Sequence, residues 1–272
     1  FKATVDAIAM GADAHARTLR GQTCLMLAAA SPGSGSLEVV RFLLEIKASL
    51  EALDENGWTP LLHACRNGRH EIAEFLMQQG ACVRRCSHDG KTPAILAAMD
   101  GADDLVLSLL YRKVNIEKKD KDGWPVLFYA CRERTRLVKE LLSRKADVQV
   151  TGTDGMNALM IAAEHGHLAT VRRLVWRRKG IDLNLQNARG DTALTLSLKA
   201  DHEHVAEWLL EQGADCSLKN EDDEDAYDIT EKKAFVTVRQ TIETRMKARA
   251  ASEFQLKDKM QDKVQRKGKR DE

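Results

Sequence analysis

An all-α solenoid, assembled from turn and two-helix units, is the fold class this sequence predicts, and three observations predict it. A glycine-led motif returns six times along the 272 residues, apolar positions inside each copy follow helical spacing, and aromatic residues are only 5% of the chain. Few large rings with many Ala and Leu suit thin helical layers better than one thick globular core. The motif glycines, Gly21, Gly57, Gly90, Gly123, Gly155 and Gly190, stand 36, 33, 33, 32 and 35 residues apart. An interval of this size is the length of a turn plus two short helices.

Each copy reads the same way from its glycine onward. In Gly57-Trp58-Thr59-Pro60-Leu61-Leu62-His63-Ala64-Cys65, Thr59 can cap a helix and Pro60 is tolerated in its first turn, where no donor is needed. The stripe ending in small residues (Ala28-Ala29, Ala64-Cys65, Ala97-Ala98, Ala130-Cys131, Ala162-Ala163) lets a second helix approach closely. That second helix carries paired apolar residues, as in Val39-Val40-Arg41-Phe42-Leu43-Leu44 and Ile72-Ala73-Glu74-Phe75-Leu76-Met77. It ends at Gly11-Ala12-Asp13, Gly80-Ala81-Cys82 or Gly213-Ala214-Asp215, where Gly serves as a left-handed cap. A polar stretch then runs to the next glycine as a projecting, hairpin-like finger.

Asp54, Gly57, Thr59, Pro60, Leu61, Ala64 and Gly68, and again Ala162, Ala163, Gly166 and His167, resemble the ankyrin repeat. The resemblance implies an ankyrin-repeat solenoid of about seven copies. Residues 1–17 read as the trailing half of a preceding repeat, 18–219 as six full repeats, 220–246 as a degenerate C-terminal cap, and 247–272 as a basic tail, helical or disordered. In the cap, Asp225-Ala226-Tyr227-Asp228-Ile229 stands where Thr-Pro-Leu belongs, and Glu221-Asp222-Asp223-Glu224-Asp225 replaces the glycine turn. Three further departures matter. The family's His after Thr-Pro-Leu is missing from every copy, His63 coming one residue late, so its hydrogen bonding must be replaced or lost. Ser31 to Ser36 lengthen the first inter-helix connection, and Arg177-Arg178-Lys179 insert positive charge in the fifth repeat. The chain opens on Phe1 inside what reads as a second helix, so an upstream segment is expected.

Composition narrows the function classes. Lys plus Arg number 42 against 41 Asp plus Glu, so no global field steers the chain to nucleic acid or membrane. No run of about 18 apolar residues occurs, so no membrane span is expected. The six cysteines lack a dense disulfide framework, which points to a reducing compartment such as the cytoplasm, with nucleus or organelle left open.

The resemblance implies binding of one or more protein partners through a concave face made by the fingers and the inner helices. Placing the repeat register on the sequence puts Asn56, Trp58, Lys91, Trp124, Met156 and Asp191 at finger positions of that face. The inner-helix ends add Arg66, Asn67, Met99, Arg132, Glu133, Glu164 and His165. Trp58 and Trp124 are the candidate aromatic anchors; the alternative is that each ring covers its own finger. Trp176 falls on an ordinarily exposed helix position among Arg172, Arg173, Arg177 and Arg178, whereas Trp208 stands at a core position.

Chemistry finds no foothold in the pattern. Cys82-x3-Cys86-x-His88 offers three ligands in one loop without the fourth that zinc needs, so no metal or cofactor is expected. Gly90-Lys91-Thr92 lacks the upstream glycine of a phosphate loop. Most histidines fall at the inter-helix turn, so no catalytic residue is assigned and a non-enzymatic scaffold is expected. Its alternatives are a permanent subunit of a large assembly and the ankyrin segment of a larger enzyme or channel. The tail, from Arg245 onward, holds ten Lys or Arg against five Asp or Glu. A solvated terminus, a docking helix, or a polyphosphate or nuclear-address segment at Lys263 to Arg270 would each fit.

Overall fold

The computed structural model describes residues 13–33, 35–133, 135–177, 181–248 and 251. Most of the leading half repeat, Arg178 and Lys179 of the basic insertion, and tail residues 252–272 lie outside the described residues. Helices alternate between two layers. The inner layer holds α1 (Cys24–Ala30), α3 (Pro60–Arg66), α5 (Pro93–Asp100), α7 (Val126–Cys131), α9 (Ala158–Glu164), α11 (Ala193–Lys199) and α13 (Ala226–Lys233). The outer layer holds α2 (Ser36–Glu45), α4 (His70–Gln78), α6 (Asp103–Tyr111), α8 (Thr135–Ser143), α10 (Leu168–Arg177) and α12 (Glu203–Glu211), followed by helical residues 236–248. Each inner helix packs on its outer partner and on the next inner helix, which makes a right-through stack rather than a closed bundle.

Local chemistry sets the helix starts. Thr59 and Thr92 accept the N–H groups of Leu62 and Ile95 through their hydroxyls, both at 3.2 Å, and Pro60 and Pro93 occupy the first turn. In the seventh copy Asp225 takes over the cap, accepting from the Asp228 N–H at 3.0 Å while its own N–H reaches Asp228 Oδ2 at 3.1 Å. The finger turn needs positive φ, which glycine supplies from Gly21 to Gly190. At the seventh finger Asp223 takes φ 60°, a conformation Asp tolerates better than most residues.

Fingers are tied to one another by a backbone ladder. The N–H groups of His88, Lys121, Thr153, Ala188 and Glu221 each donate to a carbonyl of the preceding finger, on Asn56, Asp89, Asp122, Asp154 and Arg189, all at 2.9 Å. Close approach follows: a Cβ on Gly90 would sit 2.9 Å from Asp120 Cα, so glycine there is steric as well as conformational. Behind the fingers one continuous apolar core runs from Leu25 to Ile242. Between the layers, small residues such as Ala64, Ala97, Ala130 and Ala162 are fully buried.

Candidate protein-interaction face

Two register positions define the face. The first is the residue directly after each motif glycine: Trp58, Lys91, Trp124, Met156 and Asp191. Sequence reading places all five on the concave face, with cover of its own finger as the alternative for each tryptophan, and the structure corrects the placement of Met156 and Asp191. Trp58, Lys91 and Trp124 are half-buried, Met156 is 8% exposed and Asp191 is 2% exposed. The residue after the glycine turns inward, beneath the following finger. Met156 accordingly joins the core with its sulfur 3.4 Å from Asn187 Nδ2, and Asp191 accepts from Lys199 Nζ at 2.7 Å and Asn220 Nδ2 at 3.2 Å. The finger tips proper are the residues before the glycine, and Asn56, Asp89, Asp122 and Asp154 are exposed there.

The second position closes each inner helix, nine residues after the glycine. Here Arg66, Met99 and Arg132 follow one another in successive repeats, all exposed, with Met99 at 38%. Asn67 is half-buried and donates to the His63 carbonyl at 2.8 Å. Glu133 is exposed, and the Arg132 carbonyl is held by His167 Nε2 from the next repeat. Glu164 is half-buried, as is His165, whose Nδ1 lies 2.9 Å from the Ile161 carbonyl.

Beneath this face sit two equivalent carboxylates. Asp54 Oδ1 accepts the N–H groups of Asn56 and Trp58, both at 2.9 Å, and its Oδ2 is 2.9 Å from His63 Nε2. Asp120 Oδ1 accepts from Asp122 at 3.1 Å and Trp124 at 2.9 Å, and its Oδ2 accepts the Tyr129 hydroxyl at 2.5 Å. The displaced His63 therefore does have a structural bond, made within its own repeat, and Tyr129 makes the counterpart. Burial first, then the hydrogen bond and charge of Asp120, push the Tyr129 phenol well above its ordinary range. These nodes escaped the sequence reading, although Asp54 precedes His63 and Asp120 precedes Tyr129 by the same nine residues.

Each node carries a tryptophan wall. The Trp58 ring lies 5.2 Å from that of His63. Trp124 packs edge-on to Phe128 at 5.6 Å and against Tyr129 at 5.5 Å. A Cβ on Gly152 would lie 2.7 Å from Trp124 Nε1, so this indole occupies the space that a side chain on the next finger would need. Both rings are thus partly structural cover and stay half-buried.

All six cysteines carry free thiols. Burial raises the Cys131 thiol well above its ordinary range; for Cys65, burial and then the charge of Glu74 do the same. Among the described residues, no helix is long and apolar enough to cross a membrane.

The family model described as "Ankyrin repeats (3 copies)" matches residues 2–85, 82–151 and 133–220. "Ankyrin repeat and SAM domain-containing protein 6" of Mus musculus is 32% identical over 126 residues, which cover 45% of this chain and 14% of that protein. "Putative ankyrin repeat protein L371" of Acanthamoeba polyphaga mimivirus is 30% identical over 104 residues, covering 38% of this chain and 13% of that protein. "Ankyrin repeat and KH domain-containing protein mask" of Drosophila melanogaster is 36% identical over 90 residues, 32% of this chain and 2% of that protein. The matched stretches are small parts of these much longer relatives.

Proposed function

The chain belongs to the ankyrin-repeat family, and on that footing we propose that it is a non-enzymatic recognition scaffold which docks a protein partner between its fingers and inner helices. Repeats of this family are in general protein–protein interaction modules. The observation that carries the reading is the row Arg66, Met99 and Arg132, exposed at one register position of three successive repeats. A flexible thioether between two guanidinium groups suits a partner segment with an apolar side chain flanked by carboxylates. Packing of successive inner helices on one another holds that row in place before binding, which lowers the ordering cost.

The absence of catalysis is part of the same proposal. It is supported by Cys65 and Cys131, whose enclosure favours the neutral thiol over the nucleophilic thiolate. A reducing compartment fits the six free thiols. A photo-crosslinking residue placed at position 99 tests the binding face. A discrete crosslinked partner should appear, and Arg66→Glu with Arg132→Glu should abolish it while helical circular dichroism is kept. Capture indifferent to both charge reversals sinks the reading.

A further inference from the structure

The outward surface of α10 differs from every other outer helix described. Its sequence, Leu168-Ala169-Thr170-Val171-Arg172-Arg173-Leu174-Val175-Trp176-Arg177, has no acidic residue. By contrast α2 carries Glu38 and Glu45, α4 Glu71 and Glu74, α6 Asp103 and Asp104, α8 Glu140, and α12 Glu203, Glu207 and Glu211. Two arginines elsewhere on this layer reach carboxylates of the preceding repeat: Arg112 is 2.9 Å from Glu74, and Arg136 is 3.3 Å from Asp104. Among the described residues, Arg172 and Arg173 have no such partner. Arg173 Nε is enclosed without an acceptor, an arrangement that is costly until one is supplied.

These arginines border a shallow concavity of about 710 Å³ lined by Leu168, Ala169, Arg172, Arg173 and Trp176. Trp176 is 68% exposed, yet it is braced edge-on by the buried Trp208 of α12, 6.1 Å away at 73°. The Arg172 guanidinium lies 5.8 Å over the same Trp208 ring. A braced, exposed indole beside guanidinium groups that lack a carboxylate partner among the described residues has the composition of an interface anchor rather than of solvated surface.

We propose that this outward face of α10 is a second docking site, which takes an acidic protein segment bearing one apolar side chain. The apolar side chain packs on Trp176 over the Leu168 and Ala169 floor, and flanking carboxylates pair with Arg172 and Arg173. Charge complementarity selects this occupant. A nucleic-acid strand needs an extended cationic track, whereas this site offers two guanidinium groups beside an indole and the whole chain has a net charge of only +1. The site faces away from the row proposed above, so either surface can fail without the other.

The test uses the full chain and three fluorescein-labelled probes: a 12-residue Glu/Asp peptide with one central Phe, the same peptide with Ser for Phe, and a 12-nucleotide oligouridine. Polarisation should show salt-sensitive binding of the Phe peptide, about tenfold weaker for the Ser peptide or for Trp176→Ala. Arg172→Glu with Arg173→Glu should remove binding, and Arg66→Glu with Arg132→Glu should leave it within about twofold, because the sites are separate. Helical circular dichroism verifies each variant. Phe-peptide binding unchanged by Trp176→Ala and by the α10 charge reversal, or oligouridine bound more tightly than the peptide, overturns the proposal.

Discussion

The second and fourth fingers perform one task with different chemistry. Both bury a carboxylate, use one oxygen to gather two backbone N–H groups, and present the other to a side chain from the inner helix. In the second finger that side chain is the His63 imidazole, and the Asp54 carboxylate has no other side-chain donor among the described residues. In the fourth it is the Tyr129 phenol, and Lys91 reaches across from the third finger to 3.8 Å. The lesson is redundancy. Beyond the two backbone donors that both carboxylates have, a buried anion with one side-chain partner loses its only side-chain donor when that partner goes, while an anion with two keeps one.

The largest expected effect removes what both the fourth node and its tryptophan lean on. Phe128 is fully buried, and Phe128→Ala should cost about 4 kcal/mol in urea unfolding, with a red shift of Trp124 emission. Next comes the redundancy itself. His63→Ala should cost about 3 kcal/mol because it strands the buried Asp54, whereas Tyr129→Phe should cost only about 1 kcal/mol. Adding Lys91→Ala to Tyr129→Phe should then cost more than the two single changes together. Equal costs for His63→Ala and Tyr129→Phe would break the comparison.

The buried thiols sharpen it further. Cys65 and Cys131 are both 0% exposed at equivalent positions, whereas Cys82 is exposed. Thiol labelling should modify Cys82 rapidly and report opening of each repeat separately. His63→Ala should accelerate Cys65 selectively, and the Lys91→Ala, Tyr129→Phe pair should accelerate Cys131. Matching acceleration at both sites would mean the array opens as one unit rather than repeat by repeat.

The smallest effect lies outside both nodes. Burial, followed by repulsion from His204, holds His202 below the ordinary imidazole value, against a smaller opposing hydrogen bond to the Glu164 backbone. The unfolded chain therefore takes up the proton first. Stability is fully present above about pH 6.5 and declines as pH falls toward the folded value. His202→Gln should flatten the melting temperature between pH 7 and 5, relative to the parent chain. An unchanged slope would assign the acid sensitivity elsewhere.

Much of the fold was legible because repetition amplifies weak local signals. Thr59 and Thr92 read as caps and act as caps, and Trp208 reads as core and is 5% exposed. The exposure of the candidate face was legible only in part. Arg66, Met99 and Arg132 stand exposed where the register puts them, but Met156 and Asp191 are covered by the next finger. Exposure after the glycine depends on what the following repeat presents, and no pattern within one repeat contains that. The Tyr129 to Asp120 bond was hidden for a related reason: the expected donor was histidine, and a phenol serves the same geometry.

Period, handed turns, helix starts and the small-residue stripe belong to the sequence by itself, since each follows from backbone sterics and the chemistry of neighbouring residues. Tertiary structure alone decided which polar groups are partnered and which rings are covered. Asp54 becomes a backbone anchor because the turn brings three donors to it. Gly152 leaves room for Trp124 because two fingers meet there. Among the described residues Arg172 and Arg173 have no carboxylate partner, and α10 itself carries no acidic residue to supply one. Burial and pairing are properties of what stacks against a residue, and stacking exists only once the layers are assembled.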